Sequence, residues 1–151
     1  MDLILWRHAQ ANVGEPDIKR ELDQYGMKQA AQMGEWLDRN LPRSCKILSG
    51  VSLRTIQTTE ALGRKYKIIP EINPLTHPED MLSIIKWPVE KSSVLVVGHQ
   101  PWLGELAALI LTGKKRDWDI KKSNAWWISM NQNDHSRKLY LKAVLAPEFF
   151  G

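Results

Sequence analysis

Ser93-Val94-Leu95-Val96-Val97-Gly98-His99 is a continuous aliphatic run closed by a glycine and a histidine. A Val/Leu run without polar alternation is the pattern of a strand covered on both faces, as in a parallel sheet. Pro101 follows at a first helical turn, and an apolar helix is expected over residues 103–111, closed by Gly113. Upstream, residues 2–7 (DLILWR) form a second compact apolar run that predicts a buried strand. Residues 8–24 are polar and interrupted by Gly14 and Pro16, which predicts a long loop. Met27, Ala30, Ala31, Met33, Gly34 and Leu37 then recur at helical spacing after Asp23, and Asn40 and Pro42 end that helix. Residues 46–49 predict a short strand. Ser52 caps a second helix in which Leu53, Ile56, Thr59, Ala61 and Leu62 alternate with polar positions. Residues 68–72 predict a short edge strand, and residues 78–86 a short helix opened by Pro78-Glu79-Asp80. Beyond a charged connector at 114–122, residues 124–130 and 139–145 predict two strands joined by a polar turn around Asn131 to Ser136. Strand-helix alternation followed by a closing strand pair predicts one α/β domain over residues 1–151, with a mostly parallel central sheet.

Composition agrees with that class. The chain has 151 residues, 43% hydrophobic and 25% charged, and a chain of this length buries roughly 68–70% of its unfolded surface. It needs no staple, and the lone Cys45 offers no internal disulfide. No Cys/His spacing matches a structural zinc site. The longest apolar run, residues 92–98, is too short to span a bilayer, and the N-terminus has no secretory pattern. A reducing cytoplasm and no membrane association are expected. The net charge of +4 invites a nucleic-acid partner. An excess this small is expected to solvate the surface instead, and neither a recognition helix nor an aromatic-interleaved basic strand is evident, so no nucleic acid is expected.

The expected strand ends carry the chemistry. Arg7-His8 follows the first strand, Arg54 lies in the first turn of the helix after the second, and His99 ends the run quoted above. In an open α/β sheet the loops at the carboxyl ends of strands converge on one crevice. Two arginines and two histidines would meet there, with nothing acidic in a comparable position to balance them. Such a concentration of cationic side chains matches a phosphate, whose oxygens an arginine fork holds in pairs.

In this arrangement the chain resembles the histidine phosphatase superfamily. Arg7-His8-Ala9 is similar to that family's Arg-His-Gly, and the segment from Arg20 through Leu22 to Gly26 to its Arg-x-Leu-Thr-x-x-Gly. Leu53-Arg54-Thr55-Ile56-Gln57-Thr58 is similar to Leu-Arg-x-x-Gln-Thr, and Val96-Val97-Gly98-His99 carries the second histidine. Length and motif order most resemble the SixA-type phosphohistidine phosphatases. The resemblance implies a three-layer α/β/α sandwich, phosphoglycerate mutase-like, with a minimal core and no large insertions. It implies a phosphatase in which His8 attacks phosphorus, Arg7 and Arg54 clamp the phosphoryl oxygens, and His99, once protonated, joins them. No metal and no cofactor are implied. The implied partner is a phosphorylated protein such as a histidine-containing phosphotransfer domain, acted on by a monomer in signal transduction. A small-molecule phosphoester substrate at the same site, or a phosphate-binding module without turnover, are the alternatives.

Several residues depart from the family pattern. Ala9 replaces a glycine, which requires negative φ at that position. Gly50-Val51 stands where Ser-Pro is usual, so Ser49 or Ser52 is the available hydroxyl. Asp23 replaces a threonine and is expected to cap the helix. Larger relatives use an acidic proton donor, for which Glu79 and Asp80 are the nearby candidates, although acidic residues also simply favour a helix start. An alkoxide leaving group needs a proton, whereas imidazole leaves readily, so a site without a secure acid suits a phosphoramidate. Trp6, Trp36 and Trp102 are expected in the core, and of Trp126-Trp127 one should face outward or toward the site rim. Lys114-Lys115-Arg116 and Lys121-Lys122 are expected as a solvated connector, or else as a docking surface for an acidic partner.

Overall fold

Isoleucine, leucine and valine at alternating positions of one strand can be buried on both sides only if helices cover both faces of the sheet. The computed structural model, which describes residues 1–131 and 138–151, shows that arrangement. Strands β1 (Asp2–Arg7), β2 (Lys46–Ser49), β3 (Lys67–Ile68), β4 (Val94–Gly98), β5 (Ala125–Asn131) and β6 (Lys138–Leu145) form one sheet of order β3-β2-β4-β1-β5-β6. β1 to β4 pair in parallel, while β5 runs antiparallel to both β1 and β6. β4 lies inside, between β1 and β2, and every one of its residues is buried. Helices α1 (Gln24–Asn40) and α2 (Leu53–Glu60) cover one face, and α3 (Pro78–Ile84) and α4 (Trp102–Thr112) cover the other.

The pleat divides the core into two clusters. Ile4, Trp6, Leu95 and Val97 pack against Met33 and Leu37 of α1. Leu3, Leu5, Val94 and Val96 pack against Met81 of α3 and Leu103, Leu106 and Ala107 of α4. Truncating any of these fully buried aliphatic side chains to alanine is worth about 2–5 kcal/mol. The architecture is the expected three-layer sandwich with a mostly parallel sheet. Asp23 caps α1 by accepting from Gly26 N at 2.7 Å, and Gly113, at φ 81, closes α4.

The structure differs from the sequence reading in four places. In α2 the buried face runs through Arg54, Thr55, Thr58 and Thr59, so that of the expected stripe Thr59 and, just beyond the helix, Leu62 are buried, while Leu53, Ile56 and Ala61 are only half-buried. Burial of these polar residues is inexpensive because Thr58 and Thr59 donate to the carbonyls of Arg54 and Thr55 one turn back, at 2.8 and 2.7 Å. Met27 and Ala31 lie on the exposed side of α1, whose buried line runs through Gly26, Ala30, Met33 and Leu37. The expected edge strand at 68–72 shrinks to Lys67–Ile68, while Ile72 turns into the core. Neither Trp126 nor Trp127 is free. Trp127 is buried edge-on to Trp36, and Trp126 packs on Trp118, because the sheet is covered on both faces even at β5. The expected hairpin turn falls, beyond Asn131, outside the described residues.

Candidate active site

Register alone brings the two histidines together. Arg7 at the end of β1 is level with Gly98 at the end of β4, and His8 N donates to Gly98 O at 3.1 Å. His8 and His99 therefore leave neighbouring strands at one edge, with ring centroids 5.2 Å apart and planes tilted by 56°. β2 ends at the same level, Ser49 opposite Val97, so the amino end of α2 opens onto this edge. Arg54 Nη2 lies 3.4 Å from His99 Nδ1. Arg7 anchors one end of its guanidinium on Ile120 O at 3.0 Å. All four residues expected to carry the chemistry meet in one place.

Their hydrogen bonds assign the tautomers. His8 Nδ1–H donates to Ala9 O at 2.8 Å, leaving Nε2 with a free lone pair. His99 Nδ1 accepts from Arg54, so Nε2–H donates to Ser52 Oγ at 3.2 Å. Burial pushes the His8 pKa down to about 3, and Arg54 and Arg7 push in the same direction against the Ala9 carbonyl. His99 is also lowered to about 3, first by burial and then by His8 and Arg54. Both imidazoles are thus neutral at physiological pH in the unliganded site. Nε of Arg7 and Nε of Arg54 are buried and have no hydrogen-bond partner. An anion seated between two arginines is what this donor-rich, cation-rich pocket can bind. Among the described residues no group of three His, Cys, Asp or Glu is placed to hold a metal ion.

The acceptors that order the site were not all expected. Asp17, in a single 3-10 turn within the 8–24 loop, takes Arg54 Nη1 on its carbonyl at 2.9 Å and Nη2 on its carboxylate at 3.1 Å. It corrects the expectation that nothing acidic approaches these cations. Hydrogen bonds from Arg20 and Arg54 hold the Asp17 carboxyl below the usual range. The Asp17-x-x-Arg20 spacing, which pairs the two at 3.0 Å, was the signal available in the sequence. Gln57 and Thr58 acquire roles as well. Gln57 Oε1 accepts from Leu22 N at 2.8 Å, and Thr58 Oγ1 accepts from Ala9 N at 3.0 Å, so one helix turn fixes both ends of the loop. A Cβ at Gly26 would stand 1.9 Å from Gln10 O, which explains the glycine of that segment.

The departures resolve individually. Among the described residues only Lys86 and Ser123 combine a side chain with positive φ, so Ala9 meets its condition. Ser52 is the hydroxyl at the site, on His99, whereas Ser49 Oγ turns back to Gly50 O at 2.9 Å. Glu79 is exposed and engaged by Lys115 Nζ at 2.9 Å, which holds its carboxyl below the usual range. Neither Glu79 nor Asp80 hydrogen-bonds to Arg7, His8, Arg54 or His99. They stand in the first turn of α3, where acidic residues favour the helix start.

Comparison with known proteins follows this geometry. No family model matches the chain. A phosphohistidine phosphatase SixA homolog of Haemophilus influenzae is 31% identical over 171 aligned positions, covering 94% of this chain and all of the relative. The chain belongs to the SixA group of the histidine phosphatase superfamily, a family of phosphatases. The tungstate complex of the protein histidine phosphatase SixA superposes with a TM-score of 0.83 at 22% identity, covering 100% of both chains. A phosphoserine phosphatase of Entamoeba histolytica superposes with a TM-score of 0.72 at 12% identity, over 97% of this chain and 98% of that one. At those identities the two structures show the shared fold. The SixA-type chain carries that fold without large insertions. No helix among its described residues is long and apolar enough to cross a membrane.

Proposed function

We propose that this SixA-type chain is a metal-independent phosphohistidine phosphatase, acting through a phosphorylated His8. The neutral Nε2 of His8 attacks phosphorus in line, and the bond from phosphorus to the substrate nitrogen breaks. A phosphohistidine protonated on its distal ring nitrogen departs as neutral imidazole and takes no proton from the enzyme. Arg7 and Arg54 neutralise the equatorial oxygens, and His99, whose protonation from solvent the bound dianion favours, adds a third donor. Water then displaces phosphate, and His8, which has kept Nδ1–H on Ala9 O, leaves as neutral imidazole in turn.

The observation that carries this substrate class is the state of the nearby carboxyls. Asp17 is held ionised by Arg20 and Arg54, and Asp119 by Lys121. An acid held below its usual range is a poor proton donor at neutral pH, so an ester leaving group goes without the proton it needs, whereas imidazole needs none from the enzyme. The likeness to the H. influenzae phosphohistidine phosphatase SixA homolog supports the same class, and in this reading the substrate is a phosphorylated protein such as a histidine-containing phosphotransfer domain, in cytoplasmic signal transduction. The whole of residues 1–151 acts as one domain and as a monomer in this reading.

A panel of histidine-phosphorylated protein, free phosphohistidine and phosphate monoesters tests it on wild type and His8→Ala. Phosphohistidine turnover should dominate, with an acid-labile, alkali-stable label on His8. Turnover surviving in His8→Ala, or esters preferred by orders of magnitude, overturns the proposal.

A further inference from the structure

Ser123 is a buried residue with a side chain at φ 59, a conformation costing about 1 kcal/mol. Its backbone shows what holds it there. Ser123 N lies 3.1 Å from both Arg7 O and His8 O, and its carbonyl accepts from Trp6 Nε1 at 3.1 Å. The residue before it, Lys122, is therefore fixed beside the end of β1 by the backbone of His8 itself. Lys122 is exposed and has no ion-pair partner among the described residues, whereas Lys121 is paired with Asp119 at 2.6 Å and Lys115 with Glu79. Its charge is one of those that depress the His8 imidazole.

Lys122 lines a polar cleft of about 490 Å³ together with Arg7, Tyr25, Asn124 and Glu148. Arg7 is the residue that the cleft shares with the phosphoryl site, since His8, Arg54 and His99 do not line it. The charges along it are mixed. With Arg7 committed to the phosphoryl group and Lys121 to Asp119, Lys122 and Glu148 remain as single charges of opposite sign. A polyphosphate or nucleic-acid strand would meet Asp119 and Glu148 with like charge. A polypeptide, with isolated charges and many amides, fits.

Resting on the phosphohistidine reading above, we propose that this cleft seats the polypeptide flanking the phosphorylated side chain, with Lys122 binding a carboxylate of that polypeptide. The test is steady-state kinetics of wild type, Lys122→Gln, Lys122→Arg and, as an equal charge change elsewhere, Lys91→Gln. Substrates are a histidine-phosphorylated phosphotransfer domain and free phosphohistidine. Lys122→Gln should lose about tenfold in kcat/KM on the phosphoprotein, through KM, against less than about threefold on free phosphohistidine. Lys122→Arg should recover most of the loss, and Lys91→Gln should match wild type. Equal losses on both substrates would place Lys122 on the phosphoryl group and overturn the subsite, as would a Lys122→Gln no weaker than Lys91→Gln. Wild type that hydrolyses free phosphohistidine but not the phosphoprotein overturns the subsite alone. Wild type that hydrolyses neither overturns the phosphohistidine reading and the subsite with it.

Discussion

The imidazoles of His8 and His99 stand 5.2 Å apart, His8 with Nδ1 committed to its neighbour's carbonyl and His99 with Nδ1 on Arg54 and Nε2 on Ser52. Both have pKa values near 3, below the ordinary 6.5, because the charged form is buried beside guanidinium groups. The folded protein therefore keeps them neutral where the unfolded chain would protonate them. Stability attributable to the pair is unaffected above pH 6.5 and is lost progressively as pH falls toward 3, by up to about 1.4 kcal/mol per pH unit for each group. Unfolding measured against pH, in wild type and His99→Gln, should show the acid-side slope reduced in the variant. Inorganic phosphate should raise both titrations, which ring-proton NMR would detect.

Asp17 grips Arg54 through carbonyl and carboxylate together. Asp17→Ala removes an exposed carboxylate from a buried guanidinium but leaves the Asp17 carbonyl on it, so the melting temperature should change little. Activity should fall about tenfold or more as the guanidinium loses its orientation. A variant with full activity would show that Arg54 is positioned without it.

Thr58 Oγ1 receives Ala9 N–H inside the protein. Thr58→Val preserves shape but leaves that donor without its acceptor, at a cost of about 1–3 kcal/mol. Thr58→Ser keeps the hydroxyl and should restore most of the loss in chemical denaturation.

Gly98 carries the indole of Trp102. A Cβ there would lie 2.3 Å from Trp102 Cη2, and the indole is itself anchored by Nε1 on Asn73 O at 2.9 Å. Gly98→Ala should displace the ring, cost about 1–3 kcal/mol, and shift tryptophan emission. Unchanged emission and stability would mean that the contact yields freely.

Glu79 is tied to Lys115 rather than to the site. Glu79→Gln should keep phosphohistidine turnover within about twofold of wild type across pH. A loss of more than tenfold, confined to ester substrates, would instead identify it as a proton donor.

Strands β1 and β4 were legible because burial on two faces leaves an aliphatic run that no other placement explains, and α4 because Pro101 and Gly113 punctuate it. His8, Arg7, Arg54 and His99 were legible because strand ends of a parallel sheet converge, so position along the chain already implied proximity. The polar face of α2 was not, since Thr55, Thr58 and Thr59 are buried only by virtue of carbonyls one turn back and the loop they hold. Asp17 was hidden in a segment whose sequence offers no periodicity, and its contact with Arg54 spans 37 residues. Local chemistry and periodicity therefore determined the elements and the cationic set. Protonation, the His99 tautomer and the orientation of Arg54 were decided by folding, because they depend on how much water burial removes and on hydrogen-bond partners brought from elsewhere in the chain.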